Sequence, residues 1–185
     1  MAIQKILTVP NPILRQKSVS VKKIDPEIKN LVARAVQFLK TGAEGKQMGL
    51  GLSAPQIGKL LRIIVVWSKS SRRFLPMINP KIIWKSKRTR LGISESKNPY
   101  EGCLSVPNIW GKVRRHSVIK VLYQTPANQL AIRKFRGLTG VVIQHEIDHL
   151  EGILFIDRIL EQKGRLYKLE KDKEGKDVFV EVEFK

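Results

Sequence analysis

Two histidines and a glutamate in the last third of the chain have the types and spacing of a hydrolytic metal site. They lie in VVIQHEIDHLEG, residues 141–152, where His145 and His149 are four positions apart. On an α-helix this spacing places both imidazoles on one face, about one turn apart. Glu146 is rotated by roughly 100° from His145, so it would flank a metal ion held by the pair. The stretch predicts two metal-binding histidines and a carboxylate that moves the proton of an attacking water. A core helix with internally bonded histidines is the alternative.

Catalytic metal sites usually take three protein ligands, so the third ligand decides the kind of site. A metzincin-type protease would place a histidine six residues after His149, where this chain has Phe155. Glu170, in the charged stretch LEKDKEGKD, would suit a thermolysin-like metallopeptidase. The only cysteine, Cys103, lies in YEGCLSVP, whose glycine and proline favour a loop or strand edge. A lone cysteine is often an inert buried side chain, so Cys103 and Glu170 both remain candidates at this point.

A glycine-rich stretch, GLGLSAPQIG at residues 49–58, provides a third candidate for the site. Glycines allow a backbone to come close to a ligand, and the amide of Gln56 can donate a hydrogen bond to an oxyanion. By itself the stretch fits equally well a turn that leads into the next strand.

The three stretches GLGLSAPQIG, EGCLSVP and QHEIDHLEG, in this order, resemble the signature motifs of peptide deformylase. The resemblance extends to KILTVPNPILRQKS near the N-terminus and to ILFIDRI after the histidines, and it covers about residues 3–160. It implies a metal-dependent hydrolase that removes the N-formyl group from the formyl-methionine of nascent polypeptides and releases formate.

The resemblance also implies a role for each matching catalytic residue. Glu146 matches the general acid and base, and the Gln56 side chain and the Leu104 backbone N–H match the donors to the oxyanion. One divalent ion is implied, ferrous iron with zinc or nickel as substitutes. Its ligands would be Cys103, His145 and His149.

Further matching positions concern the substrate and the support of the site. Glu101 and Arg115 align with a structural ion pair. Trp110 stands where an arginine often contacts the substrate, and Pro99 where an aliphatic residue often lines the pocket, so both departures bear on substrate preference. The residues implied to line the methionine pocket or to lie beside the bound substrate are Leu50, Gly51, Leu138, Val141 and Val142.

Length and composition predict one domain over residues 1–185, with a variable C-terminal segment at 161–185. One cysteine excludes an internal disulfide, which is typical of a reducing compartment. No run approaches the roughly 20 apolar residues of a membrane span, so no membrane association is expected. We expect a cytoplasmic protein, with an organelle reached through a separate transit peptide as the alternative. The oligomeric state stays open.

The formal net charge of +19 is unevenly distributed along the chain. Residues 1–150 hold 27 Lys and Arg against 7 Asp and Glu, whereas residues 151–185 hold 8 against 9. Such a field attracts polyanions, so association with ribosomes through the basic surface is a possible partner interaction. A non-enzymatic RNA- or ribosome-associated protein is the third functional hypothesis, although no aromatic RNA-binding signature accompanies the charge. A surface charged only for solubility is the alternative.

The predicted fold class is α+β, with small antiparallel or mixed β-sheets packed around a central metal-binding α-helix. Apolar residues at helical spacing predict a helix that begins at Pro26, is capped by Asp25 and ends at Gly42. Thr139 is the expected cap of the metal-binding helix, and a charged helical segment is expected after Arg158. The predicted strands are 61–67, 77–84 with Pro80 at an edge or bend, 118–123, 130–135 and 178–184. A basic loop is expected at 85–99 and an ordinary surface position at His116.

Overall fold

A computed structural model describes residues 5–42, 49–93 and 98–182 of the chain. The described residues form three α-helices, which are α1 (Pro26–Thr41), α2 (Gly137–Leu150) and α3 (Phe155–Glu161). Single 3-10 turns lie at Pro12–Arg15 and Ala54–Ile57. The strands in chain order are β1 (Gly51–Ser53), β2 (Ile63–Ser68), β3 (Arg73–Lys85), β4 (Thr89–Leu91), β5 (Glu101–Cys103), β6 (Val106–Gly111), β7 (Arg114–His116), β8 (Val118–Gln124), β9 (Leu130–Arg136), β10 (Leu166–Lys171) and β11 (Asp177–Val182).

The strands form three antiparallel sheets. The largest has the order β1-β2-β3-β8-β9, the second has the order β11-β10-β6-β5, and β4 pairs with β7. Strand β1 is therefore an edge of the first sheet, and β5 is an edge of the second. Each of these two edges carries part of one of the sequence motifs.

Helix α2 packs between two hydrophobic cores, one for each large sheet. Its Ile143 and Leu150 are fully buried against side chains of β2, β3, β8 and β9. The second core joins β6 and β10 to α3 and the N-terminal 3-10 turn through Leu14, Val106, Val113, Leu154, Phe155, Ile159 and Leu166. The ring of His145 stacks on Phe155 at 5.9 Å, so α2 contacts this core too. The α+β prediction with a central helix is confirmed.

Helix α1 begins and ends where the sequence predicts. The Asp25 side chain accepts a hydrogen bond from the Ile28 N–H at 3.0 Å, and Pro26 occupies the first helical position. Gly42 follows the helix with φ of 73°, a conformation that favours glycine. The buried face of α1, which includes Leu31, Val32 and Leu39, packs on the first sheet.

The strands predicted at 61–67, 77–84, 118–123 and 130–135 are also confirmed, with small shifts of their ends. Strands β8 and β9 form a hairpin and pair from Val118↔Arg136 to Gln124↔Leu130. Pro80 lies where the register of β3 against β8 shifts, so the bend is confirmed, although β3 is an inner strand of its sheet. The final strand is present at 177–182, and its expected end at 183–184 lies outside the described residues.

Three local predictions were wrong. Thr139 does not cap α2, which begins at Gly137, because its hydroxyl bonds instead to the Trp67 carbonyl and the Lys69 N–H. The segment after Arg158 is helical only to the end of α3 and then forms the β10–β11 hairpin. The basic stretch 85–99 is not wholly loop, since β4 lies within it.

His116 is half-buried, whereas the sequence suggested an ordinary surface residue. Its Nδ1 lies 2.7 Å from the Ser86 carbonyl oxygen, and its backbone N–H donates to the Gln144 side chain at 3.0 Å.

Among the described helices, none combines the length and apolar character needed to cross a membrane.

Candidate metal centre

One cysteine and two histidines meet where β5 approaches α2. One ligand atom from each of Cys103, His145 and His149 lies within 4.8 Å of the other two. Cys103 Sγ is 3.2 Å from His149 Nε2, near the ~3.6 Å that ordinary metal–sulfur and metal–nitrogen bonds give in a tetrahedron. Both histidines are buried and Cys103 is half-buried. The donor set therefore fits a thiophilic divalent metal ion with a position left open.

A chain of buried charges holds His145 in place. Its Nδ1 lies 2.9 Å from Glu101 Oε2, so Nε2 is the nitrogen that faces the cluster. Glu101 also accepts two hydrogen bonds from Arg115, at 3.0 and 2.9 Å, which confirms the predicted ion pair. Arg115 bonds in turn to Asp148 at 2.5 Å, and Asp148 bonds to Arg158 at 2.7 Å.

The electrostatics of the cluster favour a positive charge. Burial lowers the pKa of His145, but hydrogen bonds to Cys103 and Glu101 outweigh it and raise the pKa well above its ordinary value. Burial together with the charges of His145 and Arg115 lowers the pKa of His149 well below its ordinary value. His149 is thus neutral, as a metal ligand must be. The carboxylate of Glu101, which contacts His145, favours a positive charge in the cluster.

Glu146 lies beside the cluster but is not one of its three members. Burial raises its pKa to about 7, opposed by the charge of His145. Its Oε2 is buried and has no hydrogen-bond partner among the described residues. A buried carboxyl that titrates near neutrality with an unused oxygen is suited to proton transfer.

The strand edge β1 comes close to this carboxylate because it begins with glycine. A Cβ atom on Gly51 would overlap the Glu146 carboxylate and come within 2.7 Å of Val142 Cγ1. Space, and not backbone conformation, therefore requires glycine at this position. The structure places Gly51 and Val142, both named from the sequence, directly beside the candidate proton carrier.

Gln56 is held by two serines so that its amide faces the cluster. Its Oε1 accepts hydrogen bonds from the Ser53 N–H and hydroxyl at 2.8 and 3.0 Å. Its Nε2 donates to Ser105 Oγ at 3.2 Å and lies 3.6 Å from Cys103 Sγ. One N–H thus anchors the amide and the other is directed into the site. Its role as an oxyanion donor stays a prediction, as does that of the Leu104 backbone N–H, which follows Cys103.

The remaining residues predicted to line the substrate pocket lie in two places. Leu138 and Val141, in the first turns of α2, line an open cavity of about 820 Å³. Leu50 directly precedes β1 and is 39% exposed. Glu170, the alternative third ligand, is exposed on β10 and takes no part in the cluster.

The sequence reasoning missed the residues that support the site. Asp148, Ser53 and Ser105 lie inside the three motifs, and for the two serines a hydroxyl among mostly apolar neighbours was the available signal. Arg158 had no such signal, because a lone arginine after a helix is ordinary. Each of them fixes a neighbour's geometry, as described above.

Fold and site together define an α+β protein with a cysteine–histidine cluster able to hold a metal ion and a buried carboxyl beside it. Residues 3–165 match the sequence profile of the polypeptide deformylase family. The peptide deformylase of Desulfotalea psychrophila is 37% identical over 172 residues, covering 91% of this chain and 94% of the relative. That of Desulforudis audaxviator is 40% identical over 159 residues, covering 85% of this chain and 94% of the relative.

The fold agrees with these relatives. The crystal structure of peptide deformylase from Thermotoga maritima superposes with a TM-score of 0.75 at 31% identity, covering 85% of this chain and 98% of that one. The chain belongs to the polypeptide deformylase family.

Proposed function

We propose that this chain removes the N-formyl group from the N-terminal formyl-methionine of nascent polypeptides in the cytoplasm. The observation that carries the proposal is a buried carboxyl with an unused oxygen beside three convergent metal-binding groups. Family membership selects deformylation over the general metallopeptidase alternative. Family membership also argues against the non-enzymatic hypothesis.

Cys103, His145 and His149 would hold one divalent ion, which we propose to be ferrous iron, with zinc or nickel able to replace it. When bound, the ion supplies Lewis acidity, which polarises the formyl carbonyl and lowers the pKa of water at the site. Glu101 keeps the His145 ring in the ligating orientation, and its own hydrogen bonds to Arg115 keep that carboxylate fixed.

The other steps belong to the chain's own side chains. Glu146 accepts the proton of the attacking water on its unused oxygen and delivers it to the departing amine. Negative charge that develops on the formyl oxygen is stabilised by Gln56 Nε2 and by the Leu104 backbone N–H. Because Ser53 and Ser105 already orient the Gln56 amide, this donor needs no reorganisation during the reaction.

Two edge strands provide a place for the peptide. Strands β1 and β5 each have one side unpaired with any described strand, and they flank the cluster through Gly51 and Cys103. An extended peptide can pair with such edges through its backbone. The methionine side chain would then point towards a pocket formed by Leu138, Val141 and Val142 on α2. Leu50 would lie at the entrance of this pocket.

The test is formate release from a formyl-methionyl tripeptide. Protein prepared without oxygen and supplied with ferrous iron or nickel is expected to release formate, and chelation is expected to stop the release. An unformylated tripeptide of the same sequence is the matched control and should stay intact. Cleavage of its peptide bonds, or no formate from folded and metal-loaded protein, would contradict the proposal.

We further propose that the basic surface associates with RNA-rich partners such as ribosomes. The surface around the cavity beside α2 supports this proposal, because the described residues that line the cavity include Lys69, Arg88, Arg90, Lys134 and Arg136 and no acidic residue. Exposed cations around a concave surface attract phosphates, and the affinity falls steeply with salt.

Exchange of Lys69 and Lys134 for glutamate is expected to weaken co-sedimentation with ribosomes and to reduce the slope of log affinity against log salt by about two. The same exchange of Lys168 and Lys173, on the C-terminal hairpin, is the matched control for net charge. Equal losses in both double variants would indicate non-specific attraction, and absence of co-sedimentation at low salt would contradict the association.

A further inference from the structure

Trp110 covers the edge strand that carries Cys103. It lies in register with Gly102, and a Cβ atom on Gly102 would be 2.6 Å from Trp110 Cζ3 and 2.7 Å from Cε3. The six-membered ring of the indole therefore occupies the space that a side chain at position 102 would fill. It thus lies over β5, whose other side pairs with no described strand.

The indole lies on the opposite face of the sheet from the metal cluster. Glu101 and Cys103 both point towards α2, where they contact His145 and His149. Successive residues of a strand point to opposite faces, so Gly102 and the ring above it face the other way. The edge of β5 thus has one reactive face and one aromatic face.

The C-terminal hairpin supports the indole from behind. Phe179 on β11 meets Trp110 edge-to-face at 6.0 Å, and Tyr100 lies 4.3 Å from Phe179. Tyr167 on β10 completes the cluster, 5.1 Å from Tyr100. All four rings are partly exposed, so this aromatic cluster (Tyr100, Trp110, Tyr167 and Phe179) is packed from one side and open on the other.

We propose that the Trp110 indole forms a subsite for the side chain of the second residue of the formyl-methionyl peptide, and that it favours aromatic and large apolar side chains there. The proposal rests on the deformylase function proposed above. A peptide paired with β5 alternates its side chains between the two faces. With the methionine side chain directed to α2, the second side chain points to the face that Trp110 covers. The third side chain points towards α2 again.

This geometry predicts a preference that depends on position and not on composition. The isomeric tripeptides formyl-Met-Phe-Ala and formyl-Met-Ala-Phe differ only in which face the phenylalanine meets. We expect kcat/KM for the first to exceed that for the second by about three- to tenfold, the size typical of one aromatic contact. The Trp110→Gln variant is expected to bring this ratio close to one, while Phe179→Ala, which loosens the indole, lowers it in part.

The ratio separates a subsite from a purely structural role. If Trp110 only stabilised β5, Trp110→Gln would lower kcat/KM for both isomers equally. Trp84→Gln is the matched control, because Trp84 is 48% exposed on β3 of the other large sheet and should leave the ratio unchanged.

Each further outcome is decisive. If Trp110→Gln does not fold, the ratio in the unaltered protein and in Phe179→Ala carries the test alone. Equal rates for the two isomers in the unaltered protein would overturn the subsite and leave the proposed function intact. No formate from either isomer would overturn the proposed function and the subsite with it.

Discussion

Replacing Glu146 with glutamine is expected to lower kcat/KM for formate release by about a hundredfold to ten-thousandfold. The substitution keeps the shape of the side chain but removes its ability to accept and return a proton. Since the ligand atoms come from other residues, bound metal measured by elemental analysis should stay at the level of the unaltered protein. Burial raises the pKa of Glu146 to about 7, so a neutral side chain fits this position. The substitution should therefore change the free energy of unfolding little and leave the melting temperature unchanged.

Glu151→Gln is the control for this experiment. Glu151 follows the same helix and bonds to Arg62 at 2.6 Å, but it takes no part in the cluster. Its activity should stay within about a factor of two of the unaltered protein, because this partly exposed ion pair lies outside the candidate metal cluster. An active Glu146→Gln variant with full metal content would remove Glu146 from the mechanism.

Replacing Arg115 with methionine is expected to lower the free energy of unfolding by about 3–5 kcal/mol. Arg115 is 7% exposed and bridges Glu101 and Asp148, so its removal leaves the buried Glu101 with only His145 as a partner and Asp148 with only the partly exposed Arg158. The affinity for the metal should also fall, by about 10- to 100-fold, because Glu101 orients His145. Urea unfolding with buffered metal, followed by metal titration, measures both effects.

The pH dependence of this loss follows from Glu101. Burial alone would raise its pKa, but the charge of Arg115 and hydrogen bonds from His145 and Arg115 lower it to about 2, from 4.5. Its ionised form therefore stabilises the protein fully above about pH 4.5 and less as the pH falls towards 2. The difference in stability between Arg115→Met and the unaltered protein should narrow below about pH 4.5.

Arg158→Met provides the matched comparison at the other end of the same network. The Arg158 side chain is 31% exposed, and Asp148 keeps Arg115 as a partner when it is removed. The expected loss is about 1 kcal/mol or less. Equal losses for the two variants would show that burial of the network is not what stabilises it.

How far the sequence predicts this protein depends on how local each signal is. Asp25 and Pro26 start α1 through contacts within four residues, and the spacing of His145 and His149 is a property of one helix. Both the start of α1 and the pairing of the two histidines could therefore be predicted from the sequence. Thr139 has the right type for a helix cap, but its hydroxyl bonds to the strand end at Trp67, which no local pattern contains.

The missed strands show the same limit. Strand β4 is short and basic, and it is a strand only because it pairs with β7, more than twenty residues later. Strand β10 buries only Leu166, so its charged exterior resembled an exposed helix. Cys103 was one of two candidates until the resemblance selected it, since its partners lie 42 and 46 residues away.

The cluster lies on the seam between the two cores, and this position has a consequence for how the chain matures. Cys103 belongs to the second sheet, whereas Gly51 and Gln56 come from the first sheet and the turn after it. A chain in which only the first sheet has docked on α2 lacks the thiolate, and one in which only the second has docked lacks the amide. A chain in which only the second sheet has docked on α2 already holds all three candidate metal ligands, so metal binding requires one half of the fold and hydrolysis requires both.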